Sequence, residues 1–417
     1  MSVADLLGIV ALTLVGFATL LLAFRLPPLR MVLLVALAVR AAMALFHFYV
    51  APLPDGTADA VTFERYAWEW GQDGIMAALA HFPGQDAYFY AWAMSLVYAV
   101  TDRSLLMLQA VNVLAGVLAV WAIWRLTTRI WDAATACRAA WVMALFPTIV
   151  QYGALPMREA GFVLFFLLAL YGVVQWQQEG GTRPVLKAAI YFIVAAFFHG
   201  GAFVGLVGFI GYIGFWHLQH WIRRLSHYQV NYLSTAIIVM LIALASAFIA
   251  SGLSIQKLGS AEEMVSFERW MAYFEGYTRG TAQYPQWLTP DSPAGLIWVI
   301  PVRGFYLLLS PLPWDVSSPR HLVGLFDSLL YLGLLALVWR NRVAIWHNPS
   351  ARALIFVLLP LVLAFGVGTS NFGAAARHRA KLVAALIALA APRLPHLTLA
   401  KKSALRSTSQ RFERVNG

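Results

Sequence analysis

Long apolar runs, broken by short polar turns, follow one another from end to end of this chain. The first runs from about Leu6 to Phe24 and stops at Arg25-Leu26-Pro27-Pro28-Leu29-Arg30, a turn with two arginines and two prolines. The second covers about 31–50. A helix of about 18 or more apolar residues can cross a hydrocarbon core of about 30 Å. In lipid the backbone must satisfy its own hydrogen bonds, which leaves helices and closed barrels. The runs do not alternate in polarity as the strands of a membrane barrel do. The pattern predicts an all-α fold, a polytopic transmembrane helical bundle of about 10–12 membrane segments.

Further along, residues 87–124 hold a short apolar stretch (87–101), a polar break at Asp102-Arg103-Ser104, and a longer run (105–124). The arginines that follow, Arg125, Arg129 and Arg138, allow one net crossing here, so 87–101 is expected to be shallow or re-entrant. Segments 139–152 and 160–177 flank Gln151-Tyr152-Gly153-Ala154-Leu155-Pro156-Met157-Arg158-Glu159. Two shorter helices, 187–198 and 202–216, meet at His199-Gly200-Gly201. Runs at 232–252, 321–339, 352–368 and 382–397 are read as spans. Residues 294–312 contain Pro301, Arg303 and Pro311 and make a poor lipid-facing span.

Charge orients this bundle. Only 12% of the 417 residues are charged, and the formal net charge is +11. In a soluble protein that balance would raise nucleic acid as a partner; here the basic residues hold loops on the cytoplasmic side, and no nucleic acid is expected. Loop 51–86 carries Asp55, Asp59, Glu64, Glu69, Asp73 and Asp86 against one arginine. It and loop 253–293, rich in Tyr, Trp and Glu, are placed outside with interfacial helices. Residues 1–397 read as one transmembrane domain, and 398–417 as a basic cytoplasmic tail against anionic headgroups. A single cysteine, Cys137, excludes an intrachain disulfide and offers no metal cluster. Residues 5–24 form a full span rather than a cleavable signal.

On this topology the polar clusters Asp55/Asp59, Arg158-Glu159, His199, Arg303 and Arg377-His378-Arg379 share the external face. Ionisable groups at membrane depth are costly and mark functional sites. Arginines clamp phosphate oxygens, and a carboxylate accepts a proton from a hydroxyl, so the set suits a phosphate and a nucleophile. Each residue also has a plainer reading. Asp55 stands among Pro52, Pro54 and Gly56 and could shape a turn; Asp59 could cap a helix; Arg158 and Glu159 could pair locally; His199 could be a packed core histidine. A basic cluster on the external side opposes the positive-inside bias, which favours an anion at 377–379.

The order of apolar span, acidic external loop, Asp86-Ala87-Tyr88-Phe89-Tyr90-Ala91-Trp92 and a Leu/Val/Ala-rich helix ending in Arg resembles the GT-C superfamily of membrane glycosyltransferases. Asp59-Ala60-Val61-Thr62-Phe63-Glu64-Arg65-Tyr66-Ala67 is similar to the aspartate motif of their first external loop. Arg158-Glu159 falls where the family places a second acidic residue, more usually Asp. Asn371-Phe372-Gly373 and Arg377-His378-Arg379 resemble a late Arg-rich element of envelope-polysaccharide members.

The resemblance implies an inverting transferase in a bacterial inner membrane, with its active site facing the periplasm or exterior. The donor would be a polyprenyl-phosphate-linked sugar entering from the lipid. The acceptor would be lipid-linked or polysaccharide, because no large C-terminal soluble domain is seen. Asp59 would be the base, with Asp55 and Glu159 shaping or sharing that role; Arg377, Arg379 and Arg303 would hold phosphate, and Arg158, His199 and His378 would complete the substrate site. No cofactor is required, although two carboxylates leave room for a divalent cation. Two other readings stay open: a polymerase or ligase acting on polyprenyl diphosphate with His199 or His378 as base, and a lipid-linked sugar transporter, which would show internal repeats.

Overall fold

The structure is a computed structural model that describes residues 2–225 and 282–395, with a few isolated positions between them. The expected span at 232–252, most of loop 253–293 and the tail lie outside the described residues. Everything described is helix and connection; no named strand occurs among these residues. Seven helices are long and apolar enough to cross a membrane, and four shorter apolar helices accompany them. The all-α polytopic expectation therefore holds.

Helix α1 (Val3–Arg25) starts with a capping box between Ser2 and Asp5. Pro27 and Pro28 end it and open the short turn into α2 (Arg30–Tyr49). The acidic loop folds into α3 (Asp59–Gly71) and α4 (Ile75–Ala80). Then come α5 (Phe89–Tyr98) and α6 (Leu105–Ile130). The shallow segment expected at 87–101 is α5, ten residues long and so about 15 Å, too short to span. A broken pair follows, α7 (Ala133–Leu145) and α8 (Pro147–Tyr152), interrupted at Phe146 because Pro147 cannot continue a helix but suits a new first turn.

Helix α9 (Glu159–Glu179) is buried on nearly every side, as an apolar helix without a polar stripe should be. Helices α10 (Thr182–Phe198) and α11 (Ala202–Leu225) follow. After the undescribed stretch come α12 (Leu296–Leu309), α13 (Pro319–Arg340), α14 (Arg342–His347), α15 (Pro349–Val367), α16 (Phe372–Ala380) and α17 (Val383–Ala390). The poor span expected at 294–312 is α12, about 21 Å long, with Pro301 inside it. It lies flat on α15, where a Cβ on Gly366 would stand 2.6 Å from the Gly304 nitrogen. Only glycine permits that backbone approach.

Leu6, Leu14, Phe17 and Phe24 on α1, and Val323, Phe326 and Leu329 on α13, are exposed, as lipid-facing side chains would be. The two ends of the bundle differ in charge. At one end Arg129 pairs with Glu179 at 2.6 Å, Asn348 donates to the Ile130 carbonyl, and Arg138 donates to the carbonyls of Pro392 and Leu394. Arg30, Arg340 and Arg342 belong to the same end of their helices. The acidic loop and every candidate site residue gather at the other end.

Candidate functional site

Three distant stretches of chain meet around one carboxylate. Asp59 is the first residue of α3, but its side chain caps nothing: the cap position is Ala58, and no side-chain cap bond forms there. Instead Asp59 Oδ2 accepts from Arg377 Nη1 at 2.6 Å. Arg377 reaches on to Glu159 Oε1 at 3.5 Å, and Lys381 Nζ meets the same oxygen at 3.1 Å. Asp59 is 48% exposed, Arg377 20%, and Glu159 and Lys381 1% each. The chain of charges runs from a wet end to a dry one.

Each member is held by its element. On α3, Glu64 accepts two bonds from Arg103, at 2.9 and 2.8 Å, and one from Tyr98 Oη at 3.1 Å. A bidentate pair of this kind fixes orientation as well as charge, and so pins the helix that carries Asp59. Residues 153–158, irregular and deeply buried, are held by α6. Gln109 Nε2 donates to the Ala154 carbonyl at 2.8 Å, and Asn112 Nδ2 donates to the carbonyls of Leu155 and, at 2.7 Å, Met157. Buried irregular backbone needs such partners. They set the position from which Arg158 and Glu159 enter the site. On α16, Asn371 caps the helix by accepting from the Ala374 nitrogen, which orients the last turn bearing Arg377.

Asp55 sits one turn earlier, with φ +62°, a left-handed conformation that Asp tolerates better than most residues. Tyr152 Oη donates to Asp55 Oδ2 at 2.8 Å, and Gln151 donates to the Pro54 carbonyl. Asp55 thus shapes the turn and ties the acidic loop to α8. Asp55 and Asp59 have different partners, and among the described residues no group of three or more His, Cys, Asp or Glu is placed to hold a metal ion.

Arg158 and Glu159 form no pair with one another. Arg158 makes one long bond, Nη1 to the Ala87 carbonyl at 3.4 Å, lies 5.8 Å over the Phe63 ring, and has a buried Nε with no partner. Burial, with Arg377 nearby, lowers its pKa from the ordinary guanidinium value, against the pull of Glu159. For Arg377 burial acts downward too, but Glu159 and Asp59 outweigh it and raise it. Burial also pushes Lys381 well down, with Arg158 and Arg377 adding to the effect and Glu159 opposing it.

The remaining basic candidates point elsewhere. Arg379 is fully buried; its Nε donates to Asp327 Oδ2 at 2.8 Å, and Nη1 donates to Ser328 Oγ at 3.0 Å. Arg303 is 1% exposed and donates to the carbonyls of Leu288, Gly366, Val367 and Thr369 and to Ser370 Oγ. It satisfies the carboxyl end of α15, where the helix dipole also favours a cation. The expectation that Arg303 and Arg379 hold a phosphate is therefore revised: their donors are committed to protein acceptors inside the fold. His199 is buried between the rings of Phe162 and Phe365 and accepts from the Gly201 nitrogen at 3.2 Å. His378 lies 5.2 Å from the His199 ring centre and meets Thr369 Oγ1 at 2.7 Å.

No local pattern singles out Lys381, which stands at the head of an apolar run. Gln109 and Asn112 were missed as well. Their signal is in the sequence: two amides three apart in an apolar span, which need partners.

Residues 85–248 match the family described as dolichyl-phosphate-mannose-protein mannosyltransferase. The matched stretch is less than half of the chain, and the likeness is to a family of GT-C-type membrane glycosyltransferases. Neither curated proteins nor solved structures give a match.

Proposed function

We propose that the chain transfers a sugar from a polyprenyl-phosphate donor to a hydroxyl of a lipid-linked or polysaccharide acceptor, with Asp59 as general base, at the external face of a bacterial inner membrane. The observation that carries this reading is the convergence of Asp59, Glu159, Arg377 and Lys381 at the end of the bundle opposite the basic turns. Asp59 is the exposed carboxylate of that set and can meet an acceptor. The acceptor oxygen attacks the anomeric carbon as its proton passes to Asp59. The bond from that carbon to the phosphate oxygen breaks, and polyprenyl phosphate leaves with the bonding pair. Attack opposite the leaving group inverts the anomeric centre.

Arg158 is the cation with donors to spare, so it is assigned the first contact with the donor phosphate, and Arg377 the second. Arg158 and Arg377 are the cations of the set nearest Asp59, and a guanidinium suits a phosphodiester through charge-assisted, often bidentate bonds.

His199 with His378 supports a second reading, transfer of an oligosaccharide from polyprenyl diphosphate with histidine as base. The burial of His199 makes it the poorer partner for an incoming hydroxyl.

The test is turnover by purified protein in lipid, with polyprenyl-phosphate sugars and diphosphate oligosaccharides supplied separately and products read by mass spectrometry. Release of polyprenyl phosphate from the monophosphate donor, with Arg158→Ala raising donor KM, is the expected result. Turnover only with the diphosphate donor would overturn the reading in favour of the second.

A further inference from the structure

At the basic end of the bundle two arginines converge on one phenol oxygen. Arg125 Nη2 donates to Tyr171 Oη at 3.0 Å, and Arg129 Nε donates to the same oxygen at 3.1 Å. Both arginines lie in the last two turns of α6, and Tyr171 lies on α9. A phenol is a donor as well as an acceptor. With two guanidiniums on its oxygen, the Tyr171 O–H has no acceptor of its own among the described residues.

The two cations are compensated differently. Arg129 meets Glu179 at 2.6 Å and Gln178 Oε1 at 3.2 Å, and the carboxyl end of α6 favours its charge. Arg125 is exposed and has no carboxylate partner among the described residues. It is held instead against two rings, 5.2 Å from that of Trp121 and 4.7 Å from that of Tyr171, by cation–π attraction. A guanidinium fixed beside another cation, without a counter-charge, is set up to receive an anion. The surroundings narrow the kind of anion. Arg125 stands five residues before the end of α6, about 8 Å along the axis. Trp and Tyr side chains collect at the headgroup level of a membrane. Toward the middle of the bundle the incompletely covered faces of α6 and α9 continue as Leu118, Trp121 and Leu168, which are apolar.

We infer that this end of the α6–α9 groove binds the headgroup of an anionic phospholipid. Arg125 and the Tyr171 O–H donate to its phosphodiester oxygens, Arg129 adds its charge, and an acyl chain lies along Leu118, Trp121 and Leu168. A phosphodiester offers acceptors only, which is what these donors lack. Basic pockets between spans on the cytoplasmic side take anionic headgroups in this way. Free phosphate would meet the same donors but leave the apolar part of the groove uncovered. A zwitterionic lipid would bring its own ammonium against Arg125. The site is at the opposite end of the bundle from Asp59 and takes no part in sugar transfer.

Native mass spectrometry of the full chain in detergent tests this, with phosphatidylglycerol, phosphatidylcholine and inorganic phosphate as probes. Wild type is expected to hold phosphatidylglycerol about 10-fold or more tighter than phosphatidylcholine, and equimolar inorganic phosphate is expected not to displace it. Arg125→Gln should weaken phosphatidylglycerol binding by about 10-fold or more, the size of one charge-assisted bond. Tyr171→Phe should weaken it by less. Arg340→Gln, exposed at the same end on α13, should leave it unchanged. Equal retention of the two lipids by wild type, or displacement by inorganic phosphate, overturns the inference whether or not any variant folds. Unchanged binding by Arg125→Gln overturns it as well. So does an equal loss in Arg125→Gln and Arg340→Gln, which would reduce the effect to diffuse attraction toward the basic end. None of these readouts uses sugar transfer, so their failure leaves the proposed activity standing, and the reverse.

Discussion

Arg377 and Arg379 are two positions apart on one short helix and face different worlds. Arg377 is partly exposed and binds the carboxylate proposed as base; Arg379 is fully enclosed and binds Asp327. Their substitutions should separate cleanly. Arg377→Ala is expected to reduce kcat/KM for the donor by 10-fold or more, since a charge-assisted bond is worth on the order of 1.5–3 kcal/mol, with a small change in thermal stability. Asp327→Ala should act on the fold, because it leaves the buried Arg379 guanidinium uncompensated, at a cost of about 3–5 kcal/mol. Thermal unfolding in detergent, set beside donor kinetics, checks both. If Asp327→Ala unfolds at the wild-type temperature, the structural assignment of Arg379 is wrong. From sequence these arginines read as one cluster, since adjacent basic residues give no hint of which face each will take. Their roles depend on carboxylates 318 and 52 positions away.

At the scale of elements, the site depends on irregular backbone held by regular helices. The segment 153–158 has its carbonyls answered by Gln109 and Asn112 of α6. Asn112→Leu keeps the volume and removes the donor, leaving the Leu155 and Met157 carbonyls to find other partners. A loss of about 1–3 kcal/mol in stability is expected, with a parallel loss of turnover because Glu159 moves. Unchanged melting and turnover would show that the amide is dispensable. Most of the helices were legible in the sequence, because apolar length alone decides a span: α1, α2, α6, α9, α13 and α15 fall where the runs are. The short α5 was legible too, from Asp102-Arg103, whereas the single segment expected at 139–152 is two helices, α7 starting earlier at Ala133 and α8 restarting at Pro147. The site was legible in part. Asp59, Glu159 and Arg377 do come together, yet the buried Lys381 and the inward turn of Arg303 and Arg379 are decided by packing, which no local pattern records.

For the whole molecule, the separation of charge between the two ends implies a fixed orientation in the membrane. Loop 51–86 and the site share one end, and Arg129, Arg138, Arg340 and Arg342 share the other. The orientation proposed here, from the positive-inside rule, has the second end in the cytoplasm. Single cysteines introduced at positions 73 and 345 in a Cys137→Ala background should therefore label from opposite sides. Labelling of both from one side would break the topology on which an external acceptor depends.

The account turns on Asp59 as the base, and one substitution addresses it directly. Asp59→Asn keeps the size of the side chain and can still bond to Arg377, but it cannot take a proton at working pH. No helix cap is lost, since Asp59 does not cap α3. The measurement is sugar transfer from a polyprenyl-phosphate donor by purified Asp59→Asn, with melting temperature recorded on the same preparation. A loss of about 10²–10⁴-fold in kcat at wild-type stability is the result expected from removing a general base. Turnover near wild type would contradict the account.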